Sequence, residues 1–129
     1  MSGGLQIRAA HFPGRAAIDA YGNGGFRFAE MSHRGSILCL PSGIHGWAAD
    51  DPTTLDEEDF ARPLAEAGAI EILLVGTGRQ LLPLPPELRA RLREAGMAVE
   101  TMATGAAVRT FNVLLAEERA VAAALIAVD

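Results

Sequence analysis

The chain has 129 residues, half of them apolar, with 11 Lys+Arg against 16 Asp+Glu and a net charge of −5. That length suits one domain, read as residues 1–129 with 1–15 loosely ordered, which needs no metal or disulfide to hold it together; the lone Cys39 excludes an internal disulfide and a zinc ribbon. All 11 basic residues are arginine, which excludes Schiff-base chemistry and a Walker-type lysine, and the acidic balance argues against nucleic acid as a partner.

The first half reads as a β-meander. Ala16–Tyr21 and Phe26–Met31 flank the turn Gly22, Asn23, Gly24, Gly25, with Phe26, Phe28 and Glu30 sharing one face and Arg27 the other. His33, Arg34 and Gly35 make a corner. The continuous apolar run Ser36–Leu40 ends at Pro41, as expected of a central strand covered on both faces. Pro41, Ser42 and Gly43 open a loop carrying Ile44, His45, Gly46 and Trp47.

Helical signals follow. Thr54 and Glu57 have capping-box spacing, Asp56 to Asp59 crowd the first turn, and Pro63 interrupts or restarts the helix. Gly68 leads into the strand Ala69–Val75, closed by Gly76, Thr77 and Gly78. A helix over 85–95, with a proline at its start, Gly96 as its cap and Glu87 four residues before Arg91, leads to a strand over 97–102. Strand, helix, strand implies a parallel crossover. Thr104 caps the next helix, whose apolar stripe is Ala107, Phe111, Leu114 and Leu115. A break near 116–118 precedes an expected final helix burying Val121, Ala122, Leu125 and Val128. The fold class is α/β: a three-layer domain with a mixed central sheet, an N-terminal β-meander and C-terminal helices.

Candidate chemistry gathers where the strand over 69–75 ends. Gly76 and Gly78 lie at a strand's carboxyl end, where open α/β sheets place ligands, although Leu81 breaks the dinucleotide fingerprint. The helix start at Thr104 opens toward the same rim, and its free amides attract anions. Arg109 and Asn112 lie together opposite the apolar stripe, so they either hold a small anion with Thr77 and Thr104 or tie down neighbouring backbone. His11, His33 and His45 lack metal spacing, and no cofactor is expected. Cys39 reads as an inert core thiol, neither Ser36 nor Ser42 sits in a nucleophile elbow, and Trp47 is a core anchor or a lid. Met1–Arg8 carries no apolar run of the secretory kind, and Ala120–Val128 falls well short of the about 20 residues that cross a bilayer. The expectation is a cytoplasmic chain without membrane insertion.

The segments Ser36–Pro41 with Trp47, Ile72–Gly78 and above all Met102–Arg119 resemble domain-of-unknown-function family four-nine-eight, whose members include a mitochondrial complex I assembly factor. The resemblance covers about Ala16 to Val128 and implies a three-layer α/β domain with a mixed sheet. Its pattern carries onto Gly76, Thr77, Gly78, Met102, Thr104, Ala107, Arg109, Thr110, Asn112, Leu114, Glu117 and Arg119. The chain departs from it at three positions: the family commonly has an acid at Ala103, a tyrosine at Phe111 and a glycine at Glu118. Losing the carboxylate and the hydroxyl removes two proton carriers.

The resemblance implies a non-enzymatic binding or assembly protein with a protein partner. Its surface would comprise Gly76, Thr77, Gly78, Met102, Thr104, Arg109 and Asn112, with Trp47 alongside, and Glu117 and Arg119 would form a structural pair. The alternative is a small enzyme or sensor for an anionic metabolite at the same rim. There Arg109 would grip the anion, amides at Gly78 and after Thr104 would stabilise charge, and Glu117 would move the proton. Homodimerisation stays open.

Overall fold

The computed structural model describes residues 6–7 and 11–129. Two sheets organise it. The smaller runs in the order β1 (Gln6–Ile7), β5 (Met31–Arg34), β4 (Gly25–Phe28), β3 (Ala20–Gly22). The larger is a six-stranded mixed sheet. Its order is β2 (His11–Phe12), β7 (Gly43–Trp47), β6 (Ser36–Leu40), β10 (Val121–Leu125), β8 (Ile72–Gly76), β9 (Ala98–Met102). The expectation of loose order over 1–15 lies outside the described residues for 1–5 and 8–10, and His11–Phe12 form a strand.

Period-2 alternation along the central strands builds two cores. Leu38, Leu40, Leu73, Val75, Ala122 and Ala124 face one side, with Trp47, Phe60 and the helix α2 (Pro86–Glu94), which contributes Leu88 and Leu92. Ile37, Cys39, Leu74, Val121, Ala123 and Leu125 face the other. There they meet Phe26 and Phe28 of the small sheet and Ala107, Val108 and Phe111 of α3 (Thr104–Ala116). The three layers and the mixed sheet are thus as the sequence implied. Cys39 sits inside this second core, where burial pushes its thiol pKa far up.

The turn at 22–25 resolves into a two-residue hairpin in which Gly22 pairs Gly25 and both Asn23 (φ 51) and Gly24 (φ 77) are left-handed, the type I′ signature. A second two-residue turn, Ala29 (φ 47) and Glu30 (φ 61), joins β4 to β5, so Glu30 lies in the turn and not on the face of Phe26 and Phe28. His33 and Arg34 belong to β5, leaving Gly35 alone as the corner.

Three further expectations change. The segment Gly43–Trp47 is a strand paired antiparallel to β6, not a loop. The capping box sits two residues later than expected: the Asp56 side chain accepts from the Asp59 N–H, and the Asp59 side chain accepts from the Asp56 N–H. Pro63, by contrast, marks a helix restart as expected: it falls in the first turn of α1 (Ala61–Ala65), where a missing N–H costs no helix bond. Most important, the expected final helix is the strand β10, at the centre of the sheet between β6 and β8. Its alanines favour helix intrinsically, but a strand buried on both faces carries no polar alternation to betray it.

The break before β10 is a Schellman turn. The Glu118 N–H donates to the Leu115 carbonyl at 2.9 Å and the Arg119 N–H to the Leu114 carbonyl at 3.0 Å, with Glu118 left-handed at φ 59. Glycine takes that conformation without the side-chain clash. Glu118→Gly should therefore stabilise the chain by about 0.5–1 kcal/mol, read as a higher urea midpoint at unchanged m-value.

Candidate functional site

The strands β8, β9 and β10 run parallel, and Gly76 pairs both Met102 and Leu125, so their carboxyl ends share one rim. The chain leaves β8 for β9 on one side and then returns to β10 on the other, the kind of switch point that forms crevices in open sheets. Here Thr104 fills that place. It is fully buried; its hydroxyl donates to the Ile126 carbonyl at 2.7 Å and accepts from the Gly78 N–H at 2.9 Å. Its own N–H donates to the Gly78 carbonyl at 2.8 Å. A Cβ on Gly76 would stand 3.0 Å from Thr104 Cα, which is why this strand ends in a residue without one.

Thr77 is buried beside this knot. Its N–H donates to the Met102 carbonyl at 2.9 Å, and its hydroxyl donates to Gln80 at 2.6 Å and accepts from Leu82 at 3.0 Å. Gly76, Thr77, Gly78, Met102 and Thr104 therefore do come together, and they bond to one another, to Gln80 and Leu82, and to Ile126. Thr104 is the first residue of α3 and not its cap; the cap position belongs to Ala103, which has no side chain to offer. Two of the three departures noted in the sequence, Ala103 and Glu118, thus lie at the two ends of α3.

Asn112 ties down backbone: its amide oxygen accepts from the Ile18 N–H at 2.9 Å and its amide nitrogen donates to the Ile18 carbonyl at 2.8 Å. Arg109 is exposed, and its side chain makes no hydrogen bond or ion pair with a described residue. Trp47 is core, its Nε1 donating to the Asp59 carbonyl at 2.7 Å and its ring meeting Phe60 edge-on at 5.5 Å. The expected Glu117–Arg119 pair does not form among the described residues; Arg119 reaches Glu71 at 3.4 Å across to the start of β8. Arg91 likewise meets Glu57 at 3.3 Å and not Glu87.

Sequence reasoning missed two features. The first is an exposed line along α3. Gly105, Arg109 and Val113 recur every four residues on one face, Val113 is 57% exposed, and a Cβ on Gly105 would strike the hydroxyl of Tyr21, itself 42% exposed. Tyr21, Arg109 and Val113 thus follow one another down the helix. Helical periodicity could have found Val113, but the contact with Tyr21 is tertiary.

The second is a Ser42, His45, Glu66 cluster. The Ser42 hydroxyl donates to Glu66 at 2.6 Å, the Ser42 N–H donates to the other carboxylate oxygen at 2.9 Å, and His45 Nε2 lies 2.9 Å from that hydroxyl. With its proton directed at Glu66, the hydroxyl accepts from the imidazole, the reverse of nucleophile activation by a base. Burial lowers the His45 pKa, Arg62 and the neighbouring His11 push the same way, and Glu66 opposes them. The unfolded imidazole gains a proton below about 6.5 while the folded one resists, so stability should fall as pH drops through that value. Denaturant midpoints of wild type and His45→Gln, compared from pH 7 to 5, check this; the variant should lose the smaller share. Among the described residues, no group of three His, Cys, Asp or Glu is placed to hold a metal, and no helix is long and apolar enough to cross a membrane.

These residues now have relatives. An uncharacterised protein of Rhodobacter capsulatus is 42% identical over 119 residues, covering 92% of this chain and 90% of that one. The NADH dehydrogenase (ubiquinone) 1 alpha subcomplex assembly factor 3 of Mus musculus is 33% identical over 122 residues, 95% of this chain but 66% of that protein. The crystal structure of a protein described as an outer membrane protein from Bartonella henselae superposes with a TM-score of 0.89 at 65% identity, covering 92% of this chain and 100% of that one. A family model described as protein of unknown function, DUF498/DUF598, matches residues 18–126, and the chain belongs to that family.

Proposed function

We propose that the chain acts as one domain and as a non-enzymatic, assembly-factor-like binding protein that engages a protein partner through the outer face of α3. The observation that carries this is the line Tyr21, Arg109, Val113, which leaves an aromatic ring, an arginine with no described partner and an aliphatic side chain exposed together. Tyrosine and arginine are the residues that most often anchor interfaces. The polar atoms of Thr77, Thr104 and Gly78 support the same reading, since their bonds fix the start of α3 and with it the position of Arg109. The small-anion alternative at this rim rests on Arg109 alone.

The assembly-factor relatives suggest the NADH dehydrogenase of the host as the partner complex. Deleting the gene and resolving membranes on native gels should show less assembled NADH dehydrogenase, restored by the wild-type chain and not by Arg109→Glu. Unchanged complex in the deletion strain overturns the proposal. The proposal also keeps the chain cytoplasmic. The description of the Bartonella henselae relative makes fractionation the direct check: recovery in the high-salt supernatant is expected, and retention in the outer-membrane pellet contradicts it.

A further inference from the structure

A second site lies on the small sheet and adjoins the face of α3 through Tyr21, which belongs to both. In β4, Phe26 and Phe28 turn into the core and Arg27 is exposed on the opposite side, which Gly25, itself buried, shares by alternation. Register then builds two rows across the sheet: Ala20, Arg27, Ser32 and, next to it, Gly22, Gly25, Arg34. The second row holds two glycines beside one arginine. Gly25 has no room for more, because a Cβ there would run into the His33 carbonyl oxygen and stand 3.2 Å from Arg34 Cα. Nothing stands within 4 Å of where a Cβ on Gly22 would be, and both glycines line a cavity of about 300 Å³, the lower end of the range for small-molecule pockets.

The charge of this cavity is the opposite of the chain's. Arg27 and Arg34 line it, with Ser32 and Asn23 as further polar groups, and no Asp or Glu is among its lining residues, in a chain of net charge −5. Both arginines are exposed, and neither side chain makes a hydrogen bond or ion pair with a described residue. They sit on neighbouring strands, Arg27 opposite Ser32 and Arg34 two residues further on the same face, a diagonal spacing within reach of long side chains. Two guanidinium forks over a glycine floor fit the tetrahedral oxygens of a phosphate, which arginine grips bidentately.

We infer that this cavity binds a small phosphorylated molecule, its phosphate held between Arg27 and Arg34 with the Ser32 hydroxyl and the Asn23 amide as further donors. Titrating inorganic phosphate and glycerol 2-phosphate into the full chain at fixed ionic strength, followed by amide NMR shifts, tests it; sodium chloride is the control. Saturable shifts confined to residues 20–34 are expected in the millimolar range, with the monoester binding at least threefold tighter than phosphate. Arg27→Ala and Arg34→Ala should each weaken binding about tenfold or more, with spectra otherwise superimposable on wild type. Arg27→Lys, which keeps the charge and loses the fork, should fall between. Non-saturating shifts that match the chloride control overturn the site, as does saturable binding that survives loss of both arginines. A monoester no tighter than inorganic phosphate overturns the small-molecule assignment.

Discussion

Thr104→Val should destabilise the chain by about 2–4 kcal/mol, lowering Tm by roughly 10 °C, although valine has nearly the same shape. The substitution removes no volume from the core. It removes the one hydroxyl that joins the loop after β8, the start of α3 and the end of β10, through bonds of 2.9 Å to the Gly78 N–H and 2.7 Å to the Ile126 carbonyl. A buried N–H left without an acceptor carries its full desolvation cost. Thr104→Ser keeps the hydroxyl and should lose less than about 1 kcal/mol. Equal losses in the two variants, by denaturant melts, would show that packing and not the hydroxyl holds this junction. Because Arg109 lies one turn further along the same helix, Thr104→Val should also weaken partner binding at temperatures where the chain remains folded.

The second large effect is expected from Phe28→Ala, about 3–5 kcal/mol. Phe28 is fully buried and, with Phe26, forms the contact of the small sheet with Ile37, Leu74 and Phe111. Truncating it opens a void where β4 packs on the central sheet, and close-packed interiors relax poorly around such voids. Urea melts measure the loss. A change below about 1 kcal/mol would mean that the small sheet is held mainly by its backbone ties, the Asn112 clasp on Ile18 and the Gly24 N–H bond to the Val128 carbonyl at 2.8 Å. The same variant should disturb the Arg27 and Arg34 cavity, since Phe28 anchors the strand that carries Arg27.

What the residues disclosed in advance follows from physics that is local. The doubly covered strand Ser36–Leu40, the inward pair Phe26 and Phe28, the helix beginning beside Pro86 and ending at Gly96, and the helix stripe Ala107 and Phe111 each carry their signal within a few positions. The strand β10 does not. Val121, Ala122, Ala123, Ala124 and Leu125 are apolar throughout, so periodicity cannot separate strand from helix, and only pairing with β6 and β8 decides it. Gly43–Trp47 was hidden for a related reason: a turn signal at Pro41–Ser42 reads as a long loop unless the returning strand is seen to pair.

The rim was legible as a place and not as a chemistry. Spacing brought Gly76, Thr77, Gly78, Met102 and Thr104 to one end of the sheet, but their partners are carbonyls and amides far along the chain, such as Ile126 for Thr104. Side-chain type alone does not tell a hydroxyl aimed at a ligand from one closing a junction. The Ser42, His45, Glu66 cluster and the Tyr21 contact with Gly105 have no sequence signature at all, because each joins separate elements.

The proposed partner-binding face of α3 has Arg109 at its centre. Affinity purification of the tagged chain from the host, followed by quantification of NADH dehydrogenase subunits in the eluate, tests it most directly. Arg109→Glu and Val113→Asp are the variants, and their Tm should match that of wild type because both side chains are exposed. Recovery of those subunits with wild type and at least a tenfold drop in each variant is the predicted result. Equal recovery from wild type and both variants, or none above the untagged control, would contradict it.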